Sequence, residues 1–246
     1  MSSKRRRDLK DHVRNLLNFF DIDQALCELS QIPPRRVINP LLSLFYSQDE
    51  EIRWKAITAI GSLVSLIAAK DMESARIVMR RLMWNLNDES GGIGWGAPEA
   101  MGEIMARHEG LAKEYAHILV SYAREDGNFL EHEPLQCGVL WGLGRLAQAR
   151  PHILQGRGVI PLLHPNLGSP NATIRALAAW TIGLLGVKDS RSRIEELLGD
   201  NASVHLFIDQ KISTYRVKEI ARDALTKSID RRVGEVYSEE SIPETN

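Results

Sequence analysis

The residues best suited to chemistry lie in one stretch, RRLMWNLNDESGGIGWGAPEAMGE, between two helical patterns. Its four glycines leave backbone amides exposed, and Pro98 suits the first turn of a helix that begins near Ala97. Free N–H groups at such a helix start favour anions. Trp84 and Trp95 can wall a pocket, and the arginine pair at 80–81 can complete a phosphate or carboxylate site. The alternative is a structural turn whose polar side chains cap the backbone, so a ligand site and a plain turn both stay open.

The same stretch contains GIGWGA from Gly92, which matches the G-x-G-x-x-G/A fingerprint of dinucleotide-binding loops. That fingerprint needs a preceding strand and a parallel β pattern around it, whereas here a helical pattern precedes it. We therefore reject a dinucleotide site. No Cys/His cluster indicates zinc, and no grouping of serine, cysteine and histidine supports a nucleophile elbow or a triad. The sequence thus predicts no catalytic, cofactor-binding or metal-binding residue.

A helical repeat must position this stretch. Five segments align without gaps, with starts 41, 42, 39 and 41 residues apart. They begin at Ile52, Ile93, Leu135, Ile174 and Tyr215. One column of the alignment holds a small residue in every unit, namely Gly61, Gly102, Gly144, Gly183 and Ala224. Small residues recurring at one depth of a helix let a neighbouring helix approach closely. A period near 40 residues is typical of HEAT and armadillo repeats, which have helical units.

The form I-R-x-x-A-x-x-A-I/L-G-x-L in these units resembles the second helix of a HEAT repeat, particularly the PBS-lyase HEAT-like variety. The segments 52–61 and 174–183 match it best, and the resemblance covers residues 35 to 228. As a whole, the chain resembles a small prokaryotic HEAT-repeat group without an assigned activity, on the phrase LMWNLNDESGGIGWGAPEAMGEI. The resemblance implies an all-α, HEAT-like α-solenoid of about five helix pairs that bury their apolar stripes against one another. It supplies no catalytic residues.

The expected organisation is a repeat domain between two tails. The four parts are a disordered basic tail at 1–8, an N-terminal helical cap at 9–32, the repeat domain at 33–230, and a disordered acidic tail at 231–246. The last unit differs, because SVHLFIDQKIS alternates apolar and polar residues. That alternation predicts a small β-hairpin at 203–213, with its turn at Asp209-Gln210.

Composition and charge narrow the classes of function. A net charge of −1, from 31 basic and 32 acidic residues, gives no global field to attract nucleic acid or an anionic membrane. The longest apolar run, 57–69, is shorter than the roughly 20 residues that a membrane span needs. The basic N-terminus lacks the apolar region of a secretory signal. Cys27 and Cys137 are expected to be buried thiols in a reducing compartment. We therefore expect a soluble, cytoplasmic protein.

The tryptophans recur in two columns of the repeat. Trp54 and Trp95 share one column, and Trp141 and Trp180 share another, four residues later. Because a repeated column repeats a helix face, each pair is expected to pack against neighbouring units. Glu99 occupies the Trp141/Trp180 column. A carboxylate at such a position needs a polar partner or solvent.

Charged residues predict one ion pair and argue against a di-iron centre. Glu103 and Arg145 each lie one residue past the glycine column of adjacent units, so we expect an inter-repeat pair. HEAT-like deoxyhypusine hydroxylase ligates a di-iron centre through His-Glu pairs at the start of the second helix. Here the His-Glu pairs lie at 108–109 and 132–133, outside that register. No such centre is therefore expected.

The sequence favours a non-catalytic scaffold that binds a protein partner. In this prediction the second helices line a concave face, and the 84–99 loop and the 125–134 insertion form the recognition site. The candidate partner- or ligand-binding residues are Arg80, Arg81, Trp84, Asn85, Asn87, Asp88, Gly92, Gly94, Trp95, Glu99, His132, Glu133 and Arg145. The alternative is a ligand- or cofactor-handling protein, either a relative of the phycobilin lyases, which bind a tetrapyrrole carrier, or a binder of a small anionic ligand. A nucleic-acid binder is the third and least favoured interpretation.

Overall fold

The computed structural model describes residues 3–87 and 94–226, with side chains from residue 7 onward. Contacts divide the chain into two compact units, residues 1–153 and residues 154–246. The helices of the first unit are α1 (Ser3–Phe19), α2 (Ile22–Ser30), α3 (Pro34–Leu44), α4 (Glu50–Ala68), α5 (Met72–Leu86), α6 (Ala97–Arg107), α7 (Glu109–Ser121) and α8 (Glu133–Ala149). A short helix, α9 (Pro151–Leu154), lies at the boundary.

The first unit has two N-terminal helices followed by three helix pairs. The pairs are α3 with α4, α5 with α6, and α7 with α8. The second helices of these pairs lie side by side, because α6 packs against both α4 and α8. The N-terminal helices pack on the first pair, with α1 against α3 and α2 against α4. The helical repeat read from the sequence is therefore present as a layer of second helices over a layer of first helices.

Side-chain caps fix the starts of these helices. The Asp49 carboxylate accepts hydrogen bonds from the backbone N–H groups of Glu51 and Ile52 at the start of α4. The Asp71 carboxylate accepts from the backbone N–H of Ser74 at the start of α5. Such caps satisfy donors that have no partner inside the helix. Asp49 and Asp71 are the N-cap residues of these two helices.

The small-residue columns let the second helices touch through their backbones. A Cβ added to Gly102 of α6 would collide with the Cα and carbonyl oxygen of Gly142 on α8. Gly142 lies two residues before the column glycine of its own unit, in a second column of the repeat that holds Ala59 and Ala100, so the two columns interlock. The close approach expected from the sequence is thus made at α6 and α8, and it leaves no room for a larger residue at position 102.

The second unit ends in the predicted hairpin. Its elements are α10 (Val159–Leu163), α11 (Ala172–Leu185), α12 (Arg191–Glu195), three short 3-10 segments, β1 (Ser203–Ile208), β2 (Lys211–Arg216) and a helix over residues 217–226. The strands are antiparallel, and Ile208 pairs with Lys211. Asp209 and Gln210 have φ of 52° and 61°. Two left-handed residues give a type I′ turn, whose twist matches that of paired strands. The all-α fold with one small hairpin is confirmed.

The structure adds detail near the expected boundaries. The basic tail was expected at 1–8, but α1 begins at Ser3, since lysine and arginine are good helix formers and no proline intervenes. The fifth repeat segment begins at Tyr215 in the sequence, but that residue continues β2 and lies before the helix over residues 217–226. The repeat domain at 33–230 divides at residue 153. Two left-handed glycines there, at 156 and 158, leave α10 only five residues long. The expected acidic tail at 231–246 lies outside the described residues.

Candidate functional site

Helix α6 is shorter at its N-terminal end than its neighbours. In α4 and α8, eleven residues precede the glycine of the repeat column, whereas in α6 only five precede Gly102. Gly96 occupies the N-cap position with a left-handed φ of 73° and makes no side-chain cap. A Cβ there would also collide with the ring of Phe45. The predicted glycine turn therefore replaces more than one turn of helix between α4 and α8.

Two indoles meet across the shortened helix. Trp54 of α4 and Trp141 of α8 have ring centroids 4.7 Å apart, at an interplanar angle of 49°. Helix α6 packs against both α4 and α8, so this contact joins the two helices on either side of it. Trp95, just before α6, sets its ring edge against His132, with centroids 5.6 Å apart. The contact between Trp54 and Trp141 joins the two tryptophan columns across two units, which the column pattern alone did not predict.

The Glu99 carboxyl group lies in this region without a full set of hydrogen bonds. Its Oε2 is shielded from solvent and has no hydrogen-bond partner among residues 3–87 and 94–226. The carboxyl group lies over Gly138 of α8, where a Cβ would approach Oε2 to 2.7 Å. Burial raises the pKa of Glu99 to about 7, and the Arg53 guanidinium on α4 opposes this shift. We call Trp54, Glu99, Gly138 and Trp141 the Glu99 site.

The next carboxylate on the same face of α6 is fully paired. Glu103 is 3% exposed and accepts a hydrogen bond from Nε of Arg107 and another from Nε of Arg145, each at 2.6 Å. Its side chain lies over Gly61 of α4, which has no Cβ to exclude it. The predicted inter-repeat pair between Glu103 and Arg145 is confirmed. This pair links α6 to α8, and the second pair, with Arg107, lies within α6.

The arginines predicted to complete an anion site are occupied elsewhere. Arg80 pairs with Glu73 at 2.6 Å along α5. Arg81 donates to the Oδ1 of Asn39 on α3. Neither guanidinium is placed with the start of α6 by these contacts. The anion-binding interpretation stays a prediction, because the loop residues 88–93 on which it also depends lie outside the described residues.

The other predicted residues on and after α5 are Trp84, Asn85, Asn87, Asp88, Gly92 and Gly94. Trp84 is 74% exposed on α5. Gly94 lies against the Asn85 carbonyl oxygen, which a Cβ would approach to 2.8 Å. Asn87 ends α5 as its C-cap. Asp88 and Gly92 lie outside the described residues. The structure thus brings together Trp95 with His132 and Gly94 with Asn85, and it places Glu99 and Arg145 on the neighbouring helices α6 and α8.

The sequence argument did not select several residues of the site. Trp54 and Trp141 were interpreted as core or inter-unit packing, and Gly138 was not considered. Cys137 is a further case, because burial, followed by the Glu133 and Glu99 carboxylates, raises the pKa of its thiol to about 11. The signal available in the sequence was that Glu99 stands in a tryptophan column.

A second polar pair lies in the second unit. The Nε2 of His164 is 2.7 Å from the Oγ of Ser190. This is the spacing of a serine nucleophile and its base. Ser190 is fully buried, however, so a substrate cannot reach its hydroxyl. We interpret the pair as a structural hydrogen bond.

The chain also has a cleft of about 490 Å³ between α1 and α3. Lys10, Arg35 and Arg36 line it. Arg35 is paired with Asp71 and Ser74, so one of the three cations is already neutralised. The cleft contains none of the predicted site residues.

Within residues 3–87 and 94–226, no group of three or more His, Cys, Asp or Glu side chains is placed to hold a metal ion. Over the same residues, no helix has the length and apolar character needed to span a membrane.

Comparison with known proteins gives limited sequence similarity. No family model matches the chain. An uncharacterized protein of Archaeoglobus fulgidus is 31% identical over 114 residues, which are 45% of this chain and 54% of that protein. The chain therefore spans about half the length of this relative.

Similarity of structure is more extensive. An engineered protein matches with a TM-score of 0.52 at 16% identity, over 90% of this chain and 96% of that one. A designed armadillo repeat protein, solved in complex with the peptide (KR)4, matches with a TM-score of 0.50 at 18% identity, over 88% of this chain and 98% of that one. At these identities the similarity concerns the fold. The chain has the α-solenoid fold of HEAT-like and armadillo repeat proteins, as the resemblance implied.

Proposed function

We propose that the chain is a non-catalytic scaffold that binds a protein partner along the outward surface of α4, α6 and α8, together with the 84–99 segment. One observation carries the proposal: a carboxyl oxygen of Glu99, against Gly138 of α8, is shielded from water and has no hydrogen-bond partner within the described residues. In this proposal, a donor from the partner molecule supplies the hydrogen bond that this oxygen lacks.

The energetic argument supports binding rather than stability as the role of Glu99. A buried polar atom without a hydrogen bond costs roughly 1–3 kcal/mol. The same repeat position holds Thr58 in α4 and Trp141 in α8, so the repeat accommodates residues without a charge there. A residue that costs stability where neutral residues fit is typical of a functional site.

The form of the partner follows from the surface. Side-by-side helices of a repeat protein present an extended face, on which successive units supply successive contacts. The designed armadillo repeat protein of the same fold is in complex with (KR)4, an eight-residue peptide of alternating lysine and arginine. We carry the idea over to this chain: the partner contributes an extended peptide segment that crosses α4, α6 and α8.

A quantitative pull-down from cells that express the protein tests the proposal. Wild type is compared with Trp54→Ala, Trp95→Ala and Glu99→Ala, after circular dichroism has verified that each variant is folded. Ile77→Ala is the matched control, because Ile77 is 55% exposed on α5 and outside the proposed surface. We expect the same partner to be lost from the three surface variants and kept by the control.

Photo-crosslinking identifies the contact directly. A benzoylphenylalanine placed at position 54 should crosslink to the partner that the pull-down retains, and one placed at position 77 should not. If folded surface variants keep every partner in wild-type amounts, or if crosslinks form equally from both positions, the proposed surface is wrong.

A further inference from the structure

The cleft between α1 and α3 has a positively charged lining that solvent reaches. Its volume of about 490 Å³ lies within the range of sites that bind small organic molecules. The cations on its lining, Lys10, Arg35 and Arg36, are all exposed. Leu9 and Pro40 add apolar surface to the same lining. A molecule from solution can therefore contact both the charged and the apolar parts of this cleft.

Two of these cations have no acidic partner. The side chains of Lys10 and Arg36 form no ion pair or hydrogen bond with the described residues, whereas Arg35 is paired with Asp71. Helix α3 places both arginines in its first turn, which contains no acidic residue. The N-terminal end of a helix dipole is positive and favours negative charge. An anion in the cleft would therefore offset an unfavourable concentration of positive charge.

Asn39 adds a hydrogen-bond donor to this lining. The Arg81 guanidinium on α5 donates to the Oδ1 of Asn39, which leaves the Nδ2 group of the amide without a partner among the described residues. Ser43 differs, because its Oγ donates to the carbonyl oxygen of Pro40 at 2.7 Å and can then only accept. Ser43 lies two helical turns, roughly 10 Å, beyond Arg36 on α3. The cleft thus has donors towards one end and an acceptor towards the other.

A phosphate monoester matches these groups better than a carboxylate does. At neutral pH it carries a charge of about −1.5 to −2 and three strong acceptor oxygens. That charge balances Lys10 and Arg36 together, whereas a carboxylate balances only one of them. A guanidinium also contacts two phosphate oxygens at once. The acceptor at Ser43 requires a donor, such as a hydroxyl group on the body of the same ligand.

We propose that the cleft between α1 and α3 binds a small phosphate monoester with a hydroxylated body, of the sugar-phosphate type. Lys10, Arg36 and Asn39 hold the phosphate group. Ser43 accepts a hydrogen bond from a hydroxyl group of the body. The site uses neither α4, α6 nor α8, so it is a second site that goes beyond the proposed function and does not depend on it.

A titration followed by NMR compares glucose 6-phosphate with glucose 6-sulfate and glucose at pH 8. The two esters have the same body, but the sulfate carries one negative charge and the phosphate close to two. We expect the phosphate ester to bind about tenfold more tightly than the sulfate ester, because the sulfate can balance only one of the two cations. Glucose should bind more weakly than either ester. The backbone amide signals that shift should be those of the cleft.

Substitutions of single residues assign the contacts. Lys10→Gln and Arg36→Gln should each weaken glucose 6-phosphate binding about tenfold and bring the two esters within about threefold of each other. Lys70→Gln is the matched control, because Lys70 is an exposed lysine after α4 and outside the cleft. It should change the affinity by less than about twofold. Ser43→Ala should weaken glucose 6-phosphate more than phenyl phosphate, which has no hydroxyl group.

The outcomes that overturn the proposal need no partner protein. Equal affinity of wild type for the two esters, no binding of glucose 6-phosphate, or an Arg36→Gln variant that binds like the Lys70→Gln control would each contradict it. A phosphoserine peptide of otherwise neutral residues forms the last arm of the test. If that peptide binds more tightly than glucose 6-phosphate, the phosphate belongs to a modified protein, and the small-molecule assignment is wrong. The ester comparison in wild type remains decisive even if a variant fails to fold.

Discussion

Two carboxylates one turn apart on α6 have opposite environments. Glu103 lies over Gly61 and has an arginine on each oxygen, whereas Glu99 lies over Gly138 and has a shielded oxygen without a partner. Both use a glycine of a neighbouring helix to make room for the carboxylate. The described residues supply an arginine to each oxygen of Glu103 but no hydrogen-bond partner to Oε2 of Glu99.

This difference separates a structural from a binding role. The Glu103 cluster joins neighbouring repeats, because removing either charge leaves the other half-buried and unpaired. The Oε2 of Glu99 forms no such link with the described residues. A solenoid can therefore use identical residue types at adjacent depths of one helix for stability and for recognition. The difference comes from α8. This helix supplies Arg145 to Glu103, whereas the residue that it places against Glu99 is Gly138.

Glu103→Gln should cause the largest change in stability. The substitution leaves Arg107 and Arg145, each about a quarter exposed, without their shared carboxylate. Breaking a buried ion pair typically costs about 3–5 kcal/mol, and partial exposure of the arginines places this case near 3 kcal/mol. Urea denaturation measures the loss. Asp126→Asn is the control, since its pair with Arg124 is exposed and should change stability by less than about 1 kcal/mol. A loss from Glu103→Gln no larger than the control would contradict a structural role.

Glu99→Gln should act in the opposite direction and only at higher pH. In the folded protein the pKa of Glu99 is raised from 4.5 to about 7, so the folded state holds this proton more tightly than the unfolded chain. The wild-type protein therefore loses stability as pH rises from about 4.5 to 7, and the loss is complete above 7. A shift of this size corresponds to about 3 kcal/mol at most, because relaxation of the side chain reduces it.

The measurement is the difference in unfolding free energy between wild type and Glu99→Gln at pH 4.5, 6 and 8. We expect Gln to gain about 2 kcal/mol relative to Glu across that range. Glu51→Gln, which removes an exposed carboxylate paired with Lys55, controls for general effects of charge. A difference that stays constant with pH would show that Glu99 titrates normally, and the contrast with Glu103 would then disappear.

Much of the fold was predictable because it repeats. The glycine column recurs at fixed spacing, and Gly102 meets Gly142 as close helix packing requires. The hairpin was predictable from local alternation, since a two-residue turn fixes its register. The division near residue 153 was not predictable. A repeat pattern shows where helices recur, but it does not show how closely successive units pack.

The site was only partly predictable. Glu99 was selected because its column holds tryptophan in other units, and the Glu103–Arg145 pair followed from adjacent units. The contact between Trp54 and Trp141 could not be read from columns, because it depends on α6 being too short to keep them apart. The positions of Arg80 and Arg81 also depend on long-range partners, Glu73 and Asn39, among several polar residues within reach.

A matched pair of glycine substitutions sharpens the comparison of backbone and side-chain contacts. In Gly102→Ala the new methyl meets the backbone of Gly142, which cannot move alone, and we expect a loss of about 1–2 kcal/mol. In Gly138→Ala the methyl meets the end of the Glu99 side chain, which can swing outward. Improved helix propensity should then keep the change in stability within about 1 kcal/mol. Thermal and urea unfolding measure both variants.

The outward swing of Glu99 in Gly138→Ala has its own readout. Once exposed, the carboxyl group should titrate closer to its ordinary value, and NMR of the side-chain carbon would record the lower pKa. If Gly138→Ala destabilises as much as Gly102→Ala, Glu99 is held rigidly in place, and the picture of an adjustable carboxylate awaiting a partner is wrong.

The smallest expected effect concerns the thiol beside Glu99. Burial is the main cause of the raised pKa of Cys137, followed by Glu133 and then Glu99. At pH 9 the Glu99 carboxyl is ionised, so removing its charge in Glu99→Gln should increase the alkylation rate of Cys137 by about twofold, and Glu133→Gln should increase it somewhat more. Exposed Cys27 supplies the internal reference in the same digest, measured by mass spectrometry. A faster Cys137 in Glu133→Gln but not in Glu99→Gln would mean that the Glu99 charge points away from α8. That result would place the unpartnered oxygen of Glu99 closer to Arg53 on α4. Arg53 could then pair with it, and no partner molecule would be needed.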